Sequence, residues 1–247
     1  MESCSMDTIK VGCNQVKMIA HRGLSHIERE NTNAAFIAAG NRSYFGIETD
    51  VHKTSDGQFI LIHDSLTGRV TNQTIDVDVD ATEYDTLKQI VLSDLDGSLD
   101  RQDLRIPLLT DYIRICKKYE KICVLEIKGV FPRFDLEQLV EIIGQEEYLE
   151  SVIFISFGIE NCIVLRELLP DSQIQWLTSK ELTEENKQNL YRYHLDLDIK
   201  YELLTKDIVD ELHAKNVQIN CWTCDNRQDA EALIEMGVDY ITTNILE

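Results

Sequence analysis

Eight short apolar runs alternate with helical periodicity along this chain, and that alternation limits its possible folds more than any single motif. The runs are KMIAHRG (17–23), GIETDV (46–51), KICVLEIKG (121–129), SVIFISF (151–157), SQIQWLT (172–178), LDLDIKY (195–201), VQINCWTC (217–224) and VDYITTN (238–244). Between most of them, apolar residues recur at three-four spacing, as in DLEQLVEIIGQEEYL (135–149), ENCIVLRELLP (160–170), TEENKQNLYRY (183–193), TKDIVDELHAKN (205–216) and NRQDAEALIEMG (226–237). The segment NTNAAFIAAGNRS (31–43) opens on Asn31 or Thr32 as a helix cap. Strands alternating with helices build parallel sheets, and eight strands close a (β/α)8 TIM barrel. An open doubly wound sheet is the alternative, but the glycine-rich first turn that usually marks it is missing.

Two segments depart from the alternation. HKTSDGQFILIHD (52–64) carries an Asp-Gly turn before an apolar run, which predicts a hairpin on the end of the second strand. Residues 65–110 are acidic and weakly patterned, so they are expected to form a small insertion before the helix TDYIRICKKY (110–119). No linker-like stretch divides the chain, and residues 1–247 are expected to make one domain.

A net charge of −20 argues against a sequence-independent grip on nucleic acid or on an anionic membrane, because either requires clustered cations. An anionic substrate would need a local positive pocket. No apolar run is long enough for stable membrane insertion. The seven cysteines are odd in number and lie mostly beside apolar residues, as reduced thiols of a cytoplasmic protein would. Cys221 and Cys224 form a lone CxxC with no second pair and no adjacent histidine, and are read as structural. The N-terminal MESCSMDTIK lacks a basic region followed by an apolar stretch, so a cytoplasmic location is expected.

Within IETDVH (47–52), Glu48 and Asp50 are two positions apart and therefore share one strand face. His21 and Arg22 end the first run, Glu126 and Lys128 end the third, and Trp222 ends the seventh. In a barrel these ends meet at one rim. Three carboxylates gathered there would repel one another and take up protons unless a cation shared them. The economical reading is a hard divalent metal held by Glu48, Asp50 and Glu126.

The ordered set IAHRG (19–23), ENTNAAF (30–36), IETDVHKTSDG (47–57), ILIHD (60–64), LEIKG (125–129), ISF (155–157), CWT (221–223) and GVDYITTN (237–244) resembles the glycerophosphodiester phosphodiesterase family across residues 17–245. The resemblance implies a (β/α)8 barrel that uses Mg2+ or Ca2+ to hydrolyse small glycerophosphodiesters, such as glycerophosphocholine or glycerophosphoethanolamine, to glycerol 3-phosphate and an alcohol. It carries His21 and His63 onto catalytic positions, with His21 expected as base and His63 as acid, although two histidines at one rim could exchange these roles. Glu48, Asp50 and Glu126 fall on metal positions, and Arg22 and Lys128 on substrate-binding ones. Trp222 and Phe157 are expected to wall the substrate, Phe157 only from its place at a strand end. Arg29 stands where the family commonly has proline, and could add a cation near the rim.

Simpler readings compete for several residues. Glu126 and Lys128 could be a plain same-face ion pair, and His26, His52, His194 and His213 lack a partner pattern and are left structural. The acidic run DVDVDATEYD (76–85) lacks the spacing of a calcium loop and is read as a solvated face. Two other functions fit the barrel. A sphingomyelinase D-like phospholipase would favour a secretion signal and an exposed apolar rim, neither of which the sequence announces, and a non-catalytic binding protein would not need every chemical position filled.

Overall fold

Residues 7–12 and 15–247 are described by the computed structural model. The expectation drawn from MESCSMDTIK rests mostly on residues 1–6, outside that range, and Cys4 and Cys13 also lie outside it. Eight parallel strands occupy the eight apolar runs: β1 (Lys17–Ala20), β2 (Gly46–Lys53), β4 (Ile122–Ile127), β5 (Val152–Ser156), β6 (Ile174–Thr178), β7 (Asp196–Lys200), β8 (Ile219–Trp222) and β9 (Tyr240–Thr243). β1 pairs with β9 on one side and with β2 on the other, which closes the sheet into a barrel. The ninth strand, β3 (Phe59–Leu61), runs antiparallel to the end of β2 with Lys53 opposite Phe59, as the Asp-Gly hairpin requires.

Outside the barrel lie α1 (Asn33–Gly40), the short α2 (Tyr84–Leu87), α3 (Leu109–Lys118), α4 (Arg133–Gln145), α5 (Ile159–Leu168), α6 (Glu184–Tyr193), α7 (Lys206–His213) and α8 (Arg227–Met236). Local chemistry explains several boundaries. Thr32 caps α1, accepting the Ala35 N–H through its hydroxyl, so the choice between Asn31 and Thr32 falls to threonine. Thr183 and Asn186 form a reciprocal capping box at α6. Asn226 caps α8, and Gly237 ends it with φ +92°, a left-handed conformation that favours glycine. Asn31 itself is left-handed at φ 52°, which turns its side chain to another use.

Strand alternation sorts side chains into two layers. Ile47, Val51, Leu125, Phe154, Leu197, Ile219 and Ile241 face the helices in the main core, while Ile19, Val124, Ile153, Ile155, Leu177 and Tyr240 fill the barrel interior. The stretch between β3 and α3 has little regular structure but a small core of its own, in which Val70, Val79, Leu87, Leu92, Leu104 and Ile106 pack on Ile60 and Ile62. Among the described residues no helix is long and apolar enough to cross a membrane.

Candidate active site

The site is built where β1, β2 and β4 end. Directly after β1, Arg22 is left-handed at φ 54° and Gly23 follows at φ +77°. A Cβ on Gly23 would sit 2.7 Å from the Ala35 carbonyl carbon and Cβ of α1, so glycine is required both by conformation and by space. The turn aims the Arg22 backbone N–H at Glu48 Oε2, 2.8 Å away. Asp50 on β2 faces Glu126 on β4 in register, so two carboxylates oppose each other across neighbouring strands. Oxygens of Glu48, Asp50 and Glu126 all lie within 4.8 Å of one another, and all three residues are buried.

The protein answers that charge unevenly. Burial opposes ionisation of Asp50, but Lys128 (3.3 Å), Arg22 (3.5 Å) and the Asn31 amide (2.7 Å) outweigh it and hold the carboxyl below its ordinary range. Burial first, then Asp50, pushes Glu126 up to about 7 against the ion pair it makes with Lys128 at 2.8 Å. Burial and both acidic neighbours push Glu48 well above its ordinary value. In this setting one carboxylate ionises easily and two do not, which is the imbalance a divalent cation would relieve. The hard oxygen donors and their mutual spacing fit such an ion.

His21 and His63 line one pocket of about 180 Å3 with Arg22, Glu48, Glu126, Ile155, Phe157, Leu177, Asp198, Trp222 and Thr242. His21 Nδ1 lies 2.8 Å from Asn244 Oδ1. Asp225 fixes that asparagine, accepting from its side-chain Nδ2 at 2.6 Å, and Ser25 Oγ donates to the same Oδ1. The oxygen therefore faces the ring, Nδ1 carries the hydrogen, and Nε2 keeps its lone pair. Burial, aided by Arg22, lowers the His21 pKa to about 4. His63 contrasts with it: Nδ1 donates to Asp64 Oδ1 at 2.6 Å, and Arg69 holds the other Asp64 oxygen at 2.6 Å. Burial lowers the His63 pKa too, while Asp50 and Asp64 act to raise it.

The remaining expected residues come together with these. Phe157 is 47% exposed and meets Trp222 edge-on, ring centroids 5.9 Å apart. Arg29 does not project into the rim as a free cation, because its guanidinium is bound to the Ser93 carbonyl, Ser93 Oγ and the Asp94 carbonyl, tying the loop before α1 to the segment before α3. Of the histidines left structural, His52 spans Asp80 and the His63 carbonyl, and His213 pairs with Asp239. Large apolar side chains not expected from the sequence to be exposed are Val130 (63% exposed) and Phe134 (64%), besides Phe157.

Several residues at the site escape sequence reasoning. Glu30 bridges Arg22 and Arg69 at 2.9 and 2.8 Å, and those guanidinium groups hold its pKa at about 2 despite burial. Asn31, Asp64, Asn244 and Asp225 orient the acids and histidines. Asp64 and Asn244 lie inside the quoted motifs with no role assigned to them there, and Asn31 was weighed only as a helix cap. Asp198 repeats the spacing that marked Glu48 and Asp50, since LDLDIK places Asp196 and Asp198 on one strand face.

Residues 21–247 match the Glycerophosphoryl diester phosphodiesterase family. The chain is 30% identical over 232 residues to a glycerophosphodiester phosphodiesterase of Caldanaerobacter subterraneus subsp. tengcongensis, covering 92% of this chain and 93% of that one. It is 28% identical to one from Bacillus altitudinis, covering 92% and 94%. In three dimensions it resembles an Oleispira antarctica phosphodiesterase solved with the product sn-glycerol-3-phosphate, with a TM-score of 0.85, 24% identity and 92% of each chain covered.

Proposed function

Because the chain belongs to the glycerophosphoryl diester phosphodiesterase family, an enzyme family of phosphoric diester hydrolases, we propose that it splits glycerophosphodiesters to glycerol 3-phosphate and an alcohol through His21 and His63. The observation that carries this reading is the difference between the two histidines: one pocket holds a ring with a free Nε2 lone pair and a second ring backed by a carboxylate.

His21, held neutral by burial, accepts at Nε2 a proton of the attacking water, whose oxygen forms the new bond to phosphorus. His63, with Asp64 behind Nδ1, carries the proton that the departing alkoxide takes as its bond to phosphorus breaks. Asp64 favours that charged ring, and Arg69 keeps Asp64 in place. Arg22 and Lys128 border the acids and offer positive charge to the non-bridging oxygens. Glu48, Asp50 and Glu126 would hold Mg2+ or Ca2+, which when bound supplies further positive charge to the phosphate. Trp222 and Phe157 line the same pocket and would wall the substrate. The free buried thiols Cys116, Cys123, Cys162, Cys221 and Cys224 support a reducing, cytoplasmic setting.

Exposed Val130, Phe134 and Phe157 favour a second reading, a phospholipase acting on lipids. The charge of −20 weighs against approach to an anionic bilayer, so small soluble diesters are the first choice. Incubation with glycerophosphocholine should release choline and glycerol 3-phosphate in equal amounts. Release of choline from vesicle-bound sphingomyelin or lysophosphatidylcholine, with glycerophosphocholine untouched, would replace this reading with the second.

A further inference from the structure

Part of the pocket lining has no role in the proton transfers: Ile155, Phe157, Leu177 and Trp222, and one further ionisable side chain, Asp198, which lies close enough to Glu126 for the two carboxyls to interact. Asp198 lies on the interior face of β7, in register with Asn220 of β8, and is 2% exposed. Its neighbours leave it out of their hydrogen bonding: Asn220 donates to Gln175 Oε1 at 3.3 Å and accepts from Thr242 Oγ at 3.1 Å. Asp198 Oδ1 is buried with no hydrogen-bond partner among the described residues. Buried polar atoms are rarely left in that state without a reason, and a carboxyl that lines a pocket with no hydrogen bond among the described residues most simply meets its partner on the ligand.

We infer that Asp198 accepts a hydrogen bond from a hydroxyl of the substrate's glycerol half, and so determines specificity for a polyol over a plain alkyl ester. The inference rests on the hydrolytic function proposed above. It assigns the lining groups different tasks. The charged groups engage the phosphate, which every phosphodiester offers. The apolar side chains pack the carbon chain, and Asp198 checks for a hydroxyl. A site built to bond a hydroxyl rejects the analogue lacking it far more strongly than a purely apolar pocket rejects a change of size, because its own polar group is then stranded.

The test compares glycerophosphocholine with propylphosphocholine, which keeps the phosphate and choline but lacks both glycerol hydroxyls. The wild-type protein should prefer glycerophosphocholine by about 100-fold or more in kcat/KM. In Asp198→Ala that preference should collapse by about the same factor, with the loss falling on the glycerol substrate. Asp198→Asn keeps an accepting oxygen and should retain much of the preference, and it carries the comparison if the alanine variant does not fold. An equal loss on both substrates would make Asp198 a support of the fold or of the acids, and no change on either would make it inert; both results overturn the inference while leaving the hydrolytic function standing. A wild-type protein that turns over neither ester overturns both.

Discussion

The three buried carboxylates make the cation site testable without any turnover. A divalent cation present at 100 times its Kd stabilises a folded protein by about 2.7 kcal/mol. For a chain of this size about 1 kcal/mol moves Tm by roughly 2–4 °C, so saturating Mg2+ or Ca2+ should raise Tm by about 5–11 °C. Glu48→Gln is the informative perturbation. Without cation it should not destabilise the fold, because the carboxyl it replaces is buried beside Asp50 and Glu126 and already resists ionisation. The glutamine oxygen can still accept the Arg22 N–H that Glu48 Oε2 accepts at 2.8 Å. With cation it should lose much of the stabilisation. A site weakened tenfold gives up about 1.4 kcal/mol, and hence roughly 3–6 °C of the rise at the same cation concentration. Differential scanning fluorimetry of both proteins over a cation titration provides the readout. An equal rise in wild type and variant would place the ion elsewhere, and a drop of several degrees in the cation-free variant would show that the Glu48 charge supports the fold.

Three further outcomes come from the same geometry. His63→Ala should slow glycerophosphocholine hydrolysis by about 10²–10⁴-fold and slow a nitrophenyl phosphodiester much less, because a nitrophenolate leaves without a proton; His21→Ala should slow both, and matched losses in the two variants would end this division of roles. Because burial lowers the His21 pKa to about 4, the acid limb of kcat/KM should fall near pH 4 under saturating cation, which keeps Glu126 ionised, and a limb near 6.5 that persists at saturating cation would contradict the assignment of His21 as base. Glu247 is 5% exposed and bonds Lys10, Ser43 and Thr8, which depress its pKa to about 2. Its stabilisation is thus full above the ordinary carboxylate range and fades as pH falls toward 2. Glu247→Gln should cost about 1–3 kcal/mol in denaturant unfolding at pH 7 and progressively less below pH 4, and a cost independent of pH would refute the ionic origin.

Much of the barrel was legible because parallel strands covered on both faces read as continuous apolar runs, and each run between 17 and 244 became a strand. The acids were legible for the same reason: Glu48 and Asp50 interrupt a run that otherwise belongs to the core, and Glu126 does so on the next barrel strand. What holds the histidines was not legible. His21 is fixed by Asn244, 223 positions away, and Glu30 finds Arg69 only because the segment after β3 folds back over α1. That segment has no helical or strand periodicity, since its core is gathered from scattered residues such as Val70, Leu92 and Leu104. The exposure of Val130 and Phe134 was hidden too, because a short apolar stretch looks the same in sequence whether it is covered or bare.

The measurement that bears most directly on the account is 31P NMR of glycerophosphocholine incubated with protein stripped by a chelator, before and after Mg2+ or Ca2+ is restored. The stripped protein should leave the diester resonance intact. Restored cation should convert it to the glycerol 3-phosphate monoester, and Asp50→Asn should slow that conversion at the same cation concentration. Full turnover by the stripped protein, or none after either cation is returned, would contradict a metal-assisted phosphodiesterase built on Glu48, Asp50 and Glu126.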